Sequence, residues 1–137
     1  MGLFIQHIIS VSKRYLDMVK VAVLGIGGHA GHVMRPAADG LISEGYDVVM
    51  VCADAVVLDD DPERLADFIR TVRRSDILFI DVHGDVSYFK HFRNLKDAVE
   101  RSGISTLLYG CEESVVLGYR DMFDGDDEDY GMLRLLE

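Results

Sequence analysis

Cysteine is scarce in this sequence, and so is positive charge. The two cysteines, Cys52 and Cys111, are too few for the disulfide framework of a small secreted domain. They read as reduced thiols in a cytoplasmic protein. Lys and Arg number 14 against 24 Asp and Glu, a formal charge of −10. That sign repels both a phosphate backbone and an anionic bilayer, so no nucleic-acid or membrane partner is expected. No apolar run approaches the ~20 residues that a membrane helix needs, which predicts a soluble chain. Internal repeats are absent, and the acid-rich stretch FDGDDEDYG is the single biased tract. What is present is a folding composition, 49% apolar and 28% charged, in 137 residues that admit one core.

The chain divides by pattern near residue 18. In residues 1–17, Phe4, His7, Ile8, Val11 and Tyr15 recur at three- and four-residue steps, predicting an amphipathic helix. This extension lacks the cationic start and small-residue cleavage site of a secretory signal, and Gln6 spoils a myristoylation match. Two roles stand open for it: a structural or extraneous extension, or a contact for a homo-oligomer or another partner. Residues 18–137 read as a single α/β domain. Apolar runs rich in β-branched residues at 19–26, 47–53, 76–82 and 105–110 predict buried parallel strands. Between them, residues 32–44 place Val33, Ala37, Leu41 and Ile42 on one helical side. Residues 62–73 start at Asp61-Pro62 and carry Leu65, Phe68, Ile69 and Val72, while 86–101 carry Phe89, Phe92, Leu95 and Val99. Val115–Leu117 reads as a fifth strand or a helical turn. The alternation predicts a Rossmann-like or flavodoxin-like three-layer sandwich, its mostly parallel sheet of four to five strands ordered near 2-1-3-4.

In such sheets ligands bind beyond the carboxyl ends of the strands, and chemistry-bearing residues gather there. The first strand runs into Gly25-Ile26-Gly27-Gly28-His29-Ala30-Gly31-His32. Gly25, Gly27 and Ala30 satisfy G-x-G-x-x-A, and Asp54 follows the second strand where a ribose-binding acid would stand. The same glycines suit a purely conformational turn or a loop for another ligand, and the three readings stay open. His29, His32 and His83 collect at one edge as polar ligand contacts, His83 within Asp81-Val82-His83-Gly84-Asp85. No Cys or Glu spacing supports a zinc site around them. His7 and His91 fall on helix positions and read as surface groups. Cys111-Glu112-Glu113 follows the fourth strand, which puts Glu112 on the ligand edge. Asp81 lacks the acids and lysine that a phosphoacceptor requires around it. No nucleophile elbow, P-loop or supported carboxylate pair is present, so no residue is read as catalytic and binding is the expected role.

Two resemblances bear on the ligand. GIGGHAGHVMRPAADGLISEGYDVVMVCADA resembles the amino-terminal Rossmann-like domain of two-domain nucleotide-sugar glycosyltransferases. This implies a nucleotide-sugar or dinucleotide ligand at Gly25–Gly31 and Asp54, on a partial enzyme. SDILFIDVHGDVSYFKHFRNLKDAVERSGISTLLYGCEE, together with the closing FDGDDEDYGMLRLLE, is similar to the amino-terminal region of the cobaltochelatase large subunit and the magnesium chelatase H subunit. That likeness implies a domain for tetrapyrrole binding or subunit assembly in a ligase-type metal-insertion system of cobalamin or related biosynthesis. The substrate would be a tetrapyrrole with cobalt, the partners other chelatase subunits. The implied contacts are Gly27, Gly28, His29, His32 and His83, with Asp54, Asp85 and Glu112 on the same edge. Gly84-Asp85 stands where that family has a double glycine. The metal-insertion residues belong to later domains of the family's much longer subunit.

Overall fold

The computed structural model describes residues 18–110. Their apolar runs form four strands, β1 Val19–Ile26, β2 Val48–Asp54, β3 Ile77–Val82 and β4 Ser105–Gly110. All pair in parallel in the order β2-β1-β3-β4. The central strands are the most continuously apolar because both of their faces are covered: every residue of β3 is buried, as is every residue of β1 except Lys20. β2 lies at the edge, and Val49 and Val51 there remain exposed.

Helix α1 (Ala30–Ser43) covers one face, where Met34 and Leu41 pack with Val21, Val23 and Phe79. Helices α2 (Ala55–Asp60), α3 (Pro62–Arg73) and α4 (Phe92–Ser102) cover the other, where Leu58, Phe68 and Leu95 meet Leu24, Leu78 and Ile80. This is the expected α/β sandwich, with a four-stranded, wholly parallel sheet. α3 begins as the sequence predicts. Asp61 accepts hydrogen bonds from the Glu63 and Arg64 amides at 3.1 and 3.2 Å, and Pro62 opens the first turn.

Three details differ from the sequence reading. α1 starts two residues early and buries Met34, Ala38 and Leu41, whereas Ile42 is 50% exposed. The stripe that faces the sheet follows steps of four and three from Met34, which turns Ile42 toward the open margin beside β2. The segment 86–101 is broken. Asp85 accepts the Ser87 amide at 2.8 Å and starts a 3-10 turn, Val86–Tyr88, before α4 begins at Phe92. Helix α2 was not expected, because AVVLDD is too short to show a helical period. The extension 1–17, the strand or turn at 115–117, the acidic stretch and Glu112 lie outside the described residues. No described helix is long and apolar enough to cross a membrane.

Candidate ligand site at the carboxyl edge of the sheet

The glycines after β1 are explained first by packing. The His83 amide donates to the Ile26 carbonyl at 2.7 Å, bringing the β1 and β3 loops together. Gly27 has φ 75°, and a Cβ there would land on the His83 carbonyl oxygen. A Cβ on Gly28 would stand 2.8 Å from the His83 ring carbon Cδ2. Gly84, at φ 98°, sits under the Tyr88 ring in the same way. Each missing side chain is space already filled, at Gly27 and Gly28 by the opposing loop and at Gly84 by Tyr88 of its own.

Beyond this clasp the chain opens toward β2. His29 Nδ1 lies 2.7 Å from Asp54 Oδ2, so the imidazole donates there to a carboxylate acceptor. Its ring is thereby withheld from capping α1, whose N-terminal amides have neither a side-chain cap nor an acidic residue in the first turn. The His32 ring follows one turn on, its centroid 5.7 Å from that of His29 and tilted by 48°. Arg35 comes after another turn. A Cβ on Gly31 would be 3.3 Å from Arg35 Nε, so the glycine leaves room for the guanidinium to lie back beside Cys52. Burial pushes the Cys52 thiol up; the Arg35 charge pulls it down and the Asp54 charge adds to the rise. Pro36 lacks the amide that the His32 carbonyl would otherwise accept in a helix.

Two clefts meet at His29. One, of about 310 Å³, is lined by His29, Gly31, His32, Arg35, Cys52, Ala53 and Asp54. The other, of about 370 Å³, is lined by Gly25, Gly27, Gly28, His29, Val56 and Tyr88. Val56 and Tyr88 are 63% and 62% exposed, an apolar wall beside a polar one. Together the clefts fall in the size range of small-molecule sites.

Asp81 and His83 occupy the β3 side. His83 Nε2 stands 3.3 Å from Asp81 Oδ2, and Asp81 is only 5% exposed. Burial raises the Asp81 carboxyl above its usual range, opposed by the charge and the hydrogen bond of His83. Asp81 Oδ1 has no hydrogen-bond partner among the described residues. Asp85 serves the 3-10 turn and is exposed.

The sequence-predicted residues thus divide. Gly27, Gly28, His29, His32 and Asp54 gather on the clefts, while His83 and Asp85 belong to the adjoining loop. His91 is a correction: it is half-buried, with Nδ1 at 2.7 Å from Asp59, which also accepts the Lys90 amide at 3.0 Å. That buried carboxylate draws it in from the surface and ties α2 to the start of α4. Sequence reasoning missed Arg35, Val56 and Tyr88. Arg35 was legible as the residue three beyond His32 on one helix face. Val56 and Tyr88 belong to the short helix and the turn that carried no periodic signal. Among the described residues, no three His, Cys, Asp or Glu side chains are placed to hold a metal ion. No protein-family model matches the chain, and no curated protein matches it.

Proposed function

We propose that this chain is a non-catalytic binding domain for a carboxylate-bearing tetrapyrrole, working with other subunits of a cobaltochelatase-like metal-insertion system. The observation that carries the reading is the meeting, at His29, of an apolar cleft and a polar one that carries Arg35 and two histidines beside Asp54. A tetrapyrrole is itself divided in this way, with a flat apolar ring and acidic side chains at its rim. Val56 and Tyr88 offer surface to the ring. Arg35, His32 and the uncapped amides of α1 offer charge and hydrogen bonds to the rim carboxylates. In a chain of net charge −10, recognition of a polyanion requires such a local concentration of donors. The likeness of residues 74–137 to chelatase large subunits supports the same ligand class.

A nucleotide is the competing ligand, drawing on the G-x-G-x-x-A spacing and Asp54. On that reading Asp54 would keep His29 on Oδ2 and accept a ribose hydroxyl through Oδ1. The test is an absorbance titration with sirohydrochlorin, with and without cobalt, beside thermal melts in NAD and a UDP-sugar. A saturable spectral shift at micromolar macrocycle, lost in His32→Ala and Arg35→Glu, is the expected result. A flat titration with stabilisation by millimolar nucleotide would replace the tetrapyrrole with a nucleotide; ligand at 100 times its Kd adds about 2.7 kcal/mol.

A further inference from the structure

Three histidines in the described chain stand against carboxylates, and His29 is the most exposed of them. His91 is held between α2 and α4 by a buried acid that also ties the Lys90 amide, so the pair joins two elements. The His83 ring lies over Gly28, where the loops clasp. His29 is different. Its side chain is 68% exposed, its Nδ1 is turned to Asp54 at 2.7 Å, and both clefts are lined by it. Among the described residues, nothing bonds to its Nε2.

A histidine whose Nδ1–H is held by a carboxylate has its tautomer fixed and its Nε2 lone pair directed outward. That is the preparation of a metal-ligating imidazole. Yet the described residues supply no set of three donors for a free ion, and one histidine cannot retain a hydrated divalent cation unaided. The metal that suits such a site must arrive already held in a ring of other donors, with one axial position to give. We infer that His29 Nε2 is the axial ligand of the metal in a metallated tetrapyrrole, with Asp54 as its positioning residue. The inference rests on the tetrapyrrole reading and names the form of the ligand that the site prefers, the metal-loaded one. The step is ligand exchange without redox change. The Nε2 lone pair forms the metal–nitrogen bond, an axial water leaves, and the Nδ1 proton stays on His29 facing Asp54. A preference for the loaded ring would make this domain a holder of the chelation product.

The experiment is electron paramagnetic resonance of the full chain with cobalt(II) sirohydrochlorin under anaerobic conditions, with binding followed separately by ultrafiltration. The unpaired electron of low-spin cobalt(II) points along the axial direction, so one bound ¹⁴N splits the high-field lines into triplets. The wild type is expected to show triplets, which become doublets in protein carrying ¹⁵N-histidine. His29→Ala, an exposed substitution whose folding is checked by its thermal melt, is expected to bind the loaded ring roughly 10–100-fold more weakly and to show no triplet. Its loss of affinity for metal-free sirohydrochlorin should be clearly the smaller of the two. Asp54→Asn should keep the triplet with weaker binding. Binding without nitrogen splitting, or a triplet that survives in His29→Ala, would overturn axial ligation and leave the tetrapyrrole reading standing. Failure of both the loaded and the free ring to bind would overturn that reading and the inference with it.

Discussion

On the β2 side of Gly25, Asp54 holds an exposed imidazole at the rim of two clefts. On the β3 side, Asp81 is buried and its histidine packs over the glycine loop. The two acids lie at the same level of the sheet, each registered to Gly25, and each pairs with a histidine from a loop at this edge, His29 after β1 and His83 after β3. What separates them is position in the sheet. β2 is an edge strand, so a side chain at its end keeps access to solvent and ligand. β3 is central, so its acid is enclosed, and His83, though 48% exposed, packs into the loop clasp. A histidine–aspartate pair therefore does not declare its role by composition; the strand that carries it decides.

The largest expected effect falls on the clasp. Gly27→Val demands a left-handed backbone from a β-branched residue and drives a side chain into the His83 carbonyl. It should lower stability by about 3 kcal/mol in urea unfolding. Gly31→Ala, in the first turn of α1, presses chiefly on the flexible Arg35 side chain and should change stability by less than about 1 kcal/mol. Equal losses for the two would erase the distinction between a packed and an open side.

Next comes ligand affinity. Arg35→Glu should weaken sirohydrochlorin binding by about 2 kcal/mol, roughly 30-fold, with the unfolding midpoint unchanged. His83→Ala should weaken it by no more than about threefold (roughly 0.65 kcal/mol) while lowering stability. The reverse pattern would move the ligand to the β3 side.

A smaller effect concerns pH. Below the ordinary aspartate value of 3.8, Asp81 is neutral both folded and unfolded, and its burial carries no ionisation cost. As pH rises above 3.8 the unfolded chain gives up this proton first, so Asp81 removes stability up to its raised folded value. The stability of Asp81→Asn relative to wild type should therefore increase across that interval and level off above it. A difference that stays flat from pH 3 to 7 would show that Asp81 is not held up by burial. The smallest effect is at Cys52. Its raised thiol should alkylate more slowly at pH 8 than a cysteine in an unfolded peptide, and more slowly still in Arg35→Ala.

Much of the fold was legible because parallel strands must be apolar on both faces, so VKVAVLGI and ILFIDV mark themselves. The strand order and the start of α3 followed from alternation and from Asp61-Pro62. Less could be read where several elements decide together. The sequence places Gly27, Gly28, His29 and His32 in one loop, but it does not show that His83 fills the space above the first two. The sequence marks Asp54 as a candidate ribose acid but does not show that the fold brings His29 to it across 25 residues. Val56 and Tyr88 enter the site from pieces too short to carry a period, and His91 is drawn in by an acid 32 residues away.

The most direct measurement is a map of backbone amide shifts by ¹H–¹⁵N correlation NMR as sirohydrochlorin is added. The account predicts the largest changes at His29–Arg35 and Cys52–Asp54, with further changes at Val56 and Tyr88 and little at Asp81. Changes centred on Asp81–Asp85 with His29–Arg35 unmoved, or no changes at all, would contradict it.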